Sequence, residues 1–233
     1  DVGGYINAYT SREVTAYYTR VLKDDVSLSI NLLFDILKNS IFDEKEIEVE
    51  RGVILQEIGQ SLDTPDDVIF DWLQDICYPE QALGRTILGP AERVRNFSRK
   101  NLLEFIAEHY HPERMILSAA GGIDHEAIVR LAEDSFGTLP KYAAPEHFGV
   151  VKFGGGEMRK EKSLEQAHVA LAFEGPSYRD DEIYTAQIYS VALGGGMSSR
   201  LFQEIREKHG LCYTIFAQAG AFSDSGMITV YAG

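Results

Sequence analysis

Asp43 to Asp71, DEKEIEVERGVILQEIGQSLDTPDDVIFD, is the stretch on which the reading of this chain turns. It predicts a helix start, a helix, a turn and a second helix. Asp43 followed three residues later by Glu46 has the capping-box pattern, and the acidic first turn suits the helix dipole. Ile47, Ile54 and Ile58 recur at helical spacing and mark a buried face. Glu50 and Glu57 stand two turns apart, so they stack on one side of the helix, flanking Val53 and Ile54. A carboxylate held at the edge of a core is costly unless a cation or a hydrogen-bond network offsets it. The plainer reading is that both glutamates flank the stripe and reach water. The rest of the chain decides between the two.

Working outward, Thr64-Pro65-Asp66-Asp67 opens a helix running to about Cys77, ended by Pro79. Leu83 to Pro90, LGRTILGP, is a loop with Gly-Pro punctuation. A helix is expected over 99–110 before His111-Pro112, a strand over 114–120, and a helix over 124–136 that stops at Gly137. On the other side, Gly4 to Val21 carries β-branched and aromatic residues around a polar Thr10-Ser11-Arg12-Glu13 turn, which predicts a hairpin. Asp24-Asp25 then starts an amphipathic helix through Leu28, Leu32, Leu33, Ile36 and Leu37. Lys141 to Gly156 has no clear periodicity and reads as a linker. Beyond it come a strand over 166–173, a helix over 180–193, the glycine-rich break LGGGMSS, a helix over 200–208, and two strands around Ser223-Asp224-Ser225-Gly226. That last hairpin, opened by Gly210, is organised like the first, opened by Gly4. The recurrence points to two related units of roughly 200 residues.

The chain has 233 residues, 45% of them apolar and 25% charged, which is ordinary globular usage. No apolar run approaches the ~20 residues of a membrane span. The net charge of −14 argues against nucleic-acid binding, and no basic patch stands out. Cys77 and Cys212 lie far apart in apolar contexts, form no disulfide framework or metal knuckle, and fit a reducing compartment. The chain opens at Asp1-Val2-Gly3-Gly4 without Met and closes on a strand, so a fragment truncated at both ends is expected.

Taken together, GGYINAYTSREVTAYYTRV, IEVERGVILQEI, LGRTILGP and SSRLFQEIREKHGLCY resemble the pitrilysin (insulinase) family of zinc metallopeptidases, in its processing-peptidase branch. The resemblance covers essentially the whole chain. It implies an α+β fold of two homologous units, each a mostly antiparallel sheet backed by helices, facing each other like a clamshell across an acidic chamber. The implied boundaries are a first, zinc-site unit over 1–140, a linker over 141–156, and the start of a second, substrate-clamping unit over 157–233.

The same resemblance implies zinc as cofactor, held by two histidines of an H-x-x-E-H helix and by a distant glutamate on the following helix. Glu57 matches that glutamate. Glu50 matches an acidic residue that helps orient the site, so both carboxylates gain a cation to face. H-x-x-E-H itself is not in the sequence; family spacing would put it ~20 residues before Asp1. His109 and His111 have metal-like spacing but fall where the family has a structural segment. His125, His147, His168 and His209 carry no signal of their own.

Asn7-Ala8-Tyr9 match the edge strand on which family members lay the substrate, pairing through backbone hydrogen bonds. The plain alternative is an ordinary edge strand. Arg206 and Tyr213 match an arginine and tyrosine that hold the substrate backbone, the tyrosine also steadying the oxyanion. Arg206 also reads as a helix C-terminal charge favoured by the dipole. Asp67 and Asp71 share a helix face and match positions that receive a substrate arginine. Helix-start acidity explains Asp67 more easily than Asp71. Gly194-Gly195-Gly196 is a short glycine-rich loop without a phosphate-loop fingerprint.

The expected activity is zinc-dependent endoproteolysis of unfolded or presequence-like peptides bearing basic residues. The alternative is a non-catalytic homologous subunit serving as scaffold or partner. Pairing with a homologous chain, as a homodimer or heterodimer, is expected. The expected location is the bacterial cytoplasm, with the mitochondrial matrix as alternative.

Overall fold

The computed structural model describes residues 2–137, 139 and 149–233. In chain order the elements are β1 (Tyr5–Thr10), β2 (Thr15–Arg20), α1 (Val26–Asn39), α2 (Glu44–Asp63), α3 (Pro65–Cys77), α4 (Ala91–Asn96), α5 (Arg99–His109), α6 (His125–Phe136), β3 (Val169–Gly175), α7 (Ile183–Gly194), β4 (Ile215–Ala221) and β5 (Gly226–Ala232). A π-helical segment, Phe202–Lys208, precedes β4. The fold is α+β with antiparallel sheets. By packing it falls into two units, Asp1–Ile54 with Ala91–His147, and Leu55–Pro90 with Phe148–Gly233, so that α2 runs through both.

In the first unit, β1 and β2 form an antiparallel hairpin, Tyr5 opposite Arg20 and Thr10 opposite Thr15. Its turn is closed by the Ser11 N–H donating to the Val14 carbonyl at 2.7 Å. One face of the hairpin meets helices. The Thr19 and Ser29 hydroxyls lie 2.6 Å apart, and the Tyr17 and Tyr110 hydroxyls 3.0 Å apart. Helix α1 buries Ile30 and Leu33 but leaves Leu28, Leu32 and Ile36 of the expected stripe exposed, and Phe34 meets Phe136 of α6 edge-on at 5.1 Å. Helix α5 starts on a capping box of Ser98 and Asn101. Helix α6 starts on Asp124, which accepts from the Ala127 N–H at 2.9 Å.

In the second unit, three strands lie in the order β3-β5-β4, all antiparallel, with Val169 and Ile215 both opposite Ala232. Helix α7 packs on β4, and Gly194 makes the approach possible. A Cβ at Gly194 would stand 2.3 Å from the Ala217 nitrogen, well inside contact. The core is Cys77, Tyr78 and Leu83 with Leu73, Val151, Phe153, Ala172, Phe222 and Met227 around them. Tyr78 is fully buried, and its hydroxyl meets the Ser225 hydroxyl at 3.0 Å. Burial pushes the Cys77 thiol and the Tyr78 phenol above their ordinary pKa ranges.

Three expectations are corrected. Residues 114–120 are not a strand. The segment begins in a 3-10 turn, Pro112–Arg114, and then runs without a sheet partner among the described residues, so extended sequence character finds no ladder to join. The predicted helix over 200–208 is wound as a π-helix over most of its length. The loop expected over 83–90 begins within a 3-10 turn, Ala82–Gly84, and the short α4 that follows it was not predicted. Residues 141–148 of the expected linker lie outside the described residues. Residues 149–156 form no regular element, yet they are tied to the second unit. The Gly154 N–H donates to the Cys77 carbonyl at 2.6 Å, and the Lys152 N–H to Gln81 Oε1 at 2.8 Å. No helix among the described residues is long and apolar enough to cross a membrane.

Candidate functional site

Helix α2 begins as its sequence dictates. Asp43 Oδ1 accepts from the N–H groups of Lys45 at 2.9 Å and Glu46 at 3.4 Å. Of the expected stripe, Ile58 is buried and Ile47 and Ile54 half-buried, while Val53 is exposed. The stripe is therefore narrower than the spacing predicted. Glu50 and Glu57 are exposed rather than held at the edge of a core. Neither makes a hydrogen bond or ion pair to the described residues. Burial thus exerts no demand for a cation at either position; what they offer is two solvated carboxylates on one helix.

The charge that α2 does bury is Arg51, with a side chain only 14% exposed. Its guanidinium donates to the carbonyls of Val94 and Phe97, at 2.7 Å for Phe97, and pairs with Glu48. It thereby satisfies carbonyls that α4 leaves open at its C-terminal end. Arg99 does the same for the carbonyls of Ile41 and Phe42 beyond α1. Sequence reading passed over both arginines, because their carbonyl partners lie 40 or more positions away.

Strand β1 pairs with β2 on one side and has no other strand beside it among the described residues. Asn7, Ala8 and Tyr9 are all exposed. Asn7 Oδ1 accepts from the Ala8 N–H at 2.8 Å, and its Nδ2 donates to the Tyr5 hydroxyl at 2.6 Å. Tyr18 stands opposite Asn7 across the pair, with ring centroids 6.0 Å from Tyr5 and 6.2 Å from Tyr9. Asn7 thus sits within a cluster of exposed tyrosines. Its amide helps hold the Tyr5 phenol below the ordinary pKa, while the neighbouring Tyr5 hydroxyl raises that of Tyr18.

Asp67 and Asp71 lie four apart on α3, Asp67 exposed and Asp71 half-buried. Asp67 accepts from the Ser61 hydroxyl at 2.9 Å. Arg206 and Tyr213 are brought together. The Arg206 guanidinium carbon lies 5.1 Å from the Tyr213 ring centroid and 4.6 Å from that of Phe202. Tyr213 is 73% exposed, and its N–H and that of Thr214 donate to the Gly233 carbonyl at 2.8 and 3.0 Å. A planar cation over an aromatic ring is oriented by it, and the Arg206 Nε lies 4.0 Å from Glu207 Oε1. Phe202, one helical turn before Arg206, is the member of this group that sequence reading missed; its spacing was the available signal.

Among the described residues, no group of three His, Cys, Asp or Glu side chains is arranged to hold a metal. Glu57 is an exposed carboxylate of the kind zinc accepts, and one such donor does not form a ligand set by itself. His111 is 3% exposed, and its Nε2 lies 3.0 Å from the Glu108 carbonyl oxygen, which gives it a structural role in the turn after α5.

Comparison with known proteins places these features. Residues 1–91 match the family described as insulinase (peptidase family M16), and residues 96–233 the family described as the peptidase M16 inactive domain. An uncharacterized zinc protease of Rickettsia felis is 44% identical over 233 residues, covering all of this chain and 56% of the relative. The chain thus spans about half the length of the curated relatives it matches. A protease from Helicobacter pylori has the same fold, with a TM-score of 0.90 at 21% identity, over 100% of this chain and 58% of that one. A chain of complex III2 from Candida albicans matches with a TM-score of 0.86 at 18% identity, over 99% and 57%.

Proposed function

The chain belongs to peptidase family M16, the insulinase family, and on that premise we propose that it is part of a zinc-dependent endopeptidase acting on unfolded or presequence-like peptides with basic residues. The observation that carries this reading is kinship along the full chain with a relative named a zinc protease. The geometry supports it at three places. Strand β1 offers an exposed edge to which an extended peptide adds by backbone hydrogen bonds, whatever its sequence. Asn7 turns from its own backbone to the substrate near the scissile bond. Arg206, close to the rings of Phe202 and Tyr213, binds the substrate backbone through its guanidinium N–H groups, and the Tyr213 hydroxyl donates to the oxyanion.

Zinc, when bound, supplies Lewis acidity for the scissile carbonyl and for water. Glu57 is the ligand this chain contributes, and Glu50 orients the site beside it. The remaining ligands and the general base belong to an H-x-x-E-H in the whole protein. Asp67 and Asp71 take the guanidinium of a basic substrate residue. The homologous units run over 1–140 and 157–233, joined by 141–156. The whole protein pairs with a homologous chain and works in the bacterial cytoplasm, or alternatively in the mitochondrial matrix.

The second reading, a non-catalytic partner subunit, is favoured by the description of the family matched over 96–233 as an inactive domain. Incubating the full-length protein with an unstructured arginine-bearing peptide, with and without chelator, separates the two. Chelator-sensitive internal cleavage supports the peptidase. Binding without cleavage at any zinc concentration supports the partner.

A further inference from the structure

Helix α3 carries a second feature beside Asp67 and Asp71. Continuing their stripe by one turn gives Asp75, so three carboxylates recur at helical spacing. Next to that stripe runs Trp72, the one tryptophan of the chain, followed a turn later by Ile76. A segment without regular structure lies along this flank. Gly156 approaches Ile76 so closely that a Cβ there would stand 3.0 Å from the Ile76 methyl. The Lys160 ammonium sits 3.9 Å from the centroid of a Trp72 ring. Lys162 then donates to the Leu62 carbonyl at 2.8 Å. Residues 154–162 thus pass along α3 toward its N-terminal end.

Every residue from Gly154 to Ala167 is exposed. The segment is attached through the Gly154 N–H to the Cys77 carbonyl and through the contacts at Gly156, Lys160 and Lys162. A lysine on an indole face beside an acidic stripe is a cation in a place shaped for a cation, and its sequence, Arg159-Lys160-Glu161-Lys162, is that of a basic peptide. A π face accepts any ammonium or guanidinium, and arginine stacks on it better than lysine.

We infer that the Trp72 face, on the helix that also carries Asp67, Asp71 and Asp75, is a subsite for a basic side chain of an extended peptide, and that Lys160 occupies it until such a peptide displaces it. The subsite rests on the reading of the protein as an enzyme of basic peptides, and it extends the recognition of basic residues from carboxylates to a ring. The segment 157–162 acts as an internal competitor. It lowers apparent affinity by the fraction of time it holds the ring, and so sharpens selection for peptides with more than one basic residue.

The test uses the full-length protein and two dye-labelled extended peptides, one with a pair of arginines and one with glutamines in their place, read by anisotropy without cleavage. Lys160→Gln is expected to tighten the arginine peptide about fivefold and leave the glutamine peptide unchanged. Trp72→Leu is expected to weaken the arginine peptide alone, and Trp72→Phe, which keeps a ring, to restore most of the loss. If the wild type prefers the arginine peptide but Lys160→Gln and Trp72→Leu bind it as the wild type does, the inference is overturned while the basic-substrate reading stands. Equal binding of both peptides by the wild type overturns both.

Discussion

The guanidinium of Arg206 lies over the ring of Tyr213, 5.1 Å from its centroid, and 4.6 Å from that of Phe202. The pair sets the orientation of each group. A guanidinium over an aromatic face is oriented by it, and the Arg206 Nε also lies 4.0 Å from Glu207 Oε1. If Tyr213 steadies an oxyanion through that hydroxyl, Tyr213→Phe keeps the stack and loses the donor. The expected outcome is a fall in kcat of about a hundredfold with KM little changed, measured on the full-length protein. A Tyr213→Phe enzyme of normal kcat assigns the residue to bracing alone.

Arg206→Lys tests the other half of the pair. Lysine keeps the charge but loses the planar stack and the two-pronged edge. A loss of about fivefold in kcat/KM, expressed mainly in KM, is expected. An unchanged KM would show that only the charge at the helix end matters.

Asp67 and Asp71 are predicted to read arginine. Replacing both with Asn is expected to cut kcat/KM for arginine-bearing peptides by about tenfold or more and to leave arginine-free peptides within about twofold. Equal losses for both peptides would assign the two residues to folding of α3.

Gly194 tests the packing on which the second unit depends. A methyl group there meets the Ala217 backbone at 2.3 Å. Gly194→Ala is expected to cost about 1–3 kcal/mol in denaturant unfolding, because α7 must move off β4. An unchanged midpoint would mean that the helix shifts without penalty.

Much of this fold was legible in the sequence because the elements announce themselves locally. The Gly4–Val21 hairpin has a polar turn between alternating apolar runs, and α3 begins one residue after Thr64, as its Pro and Asp residues dictate. What escaped is what depends on distant partners. Residues 115–120 have strand composition, but a strand exists only beside another, and Ile116 is left 94% exposed. Arg51 reads as one more charge on a charged helix, and only the folded chain shows it closing the end of α4. The glutamates illustrate the opposite error. Their place beside an isoleucine stripe implied partial burial, yet the buried stripe narrows to Ile58 and both carboxylates face water. Their proposed role rests on family membership and on their spacing, not on burial. The Arg206–Tyr213 pair was named residue by residue, while its brace, Phe202, emerged only in three dimensions.

Glu57 bears most directly on the central claim. The measurement is zinc per chain in the purified full-length protein, by elemental analysis, for the wild type and for Glu57→Gln. About one zinc in the wild type, with metal and cleavage both lost in Glu57→Gln, is the predicted result. Stoichiometric zinc retained by Glu57→Gln would contradict the assignment of this carboxylate as a ligand. A wild type without zinc would contradict the peptidase reading and leave the non-catalytic partner in its place.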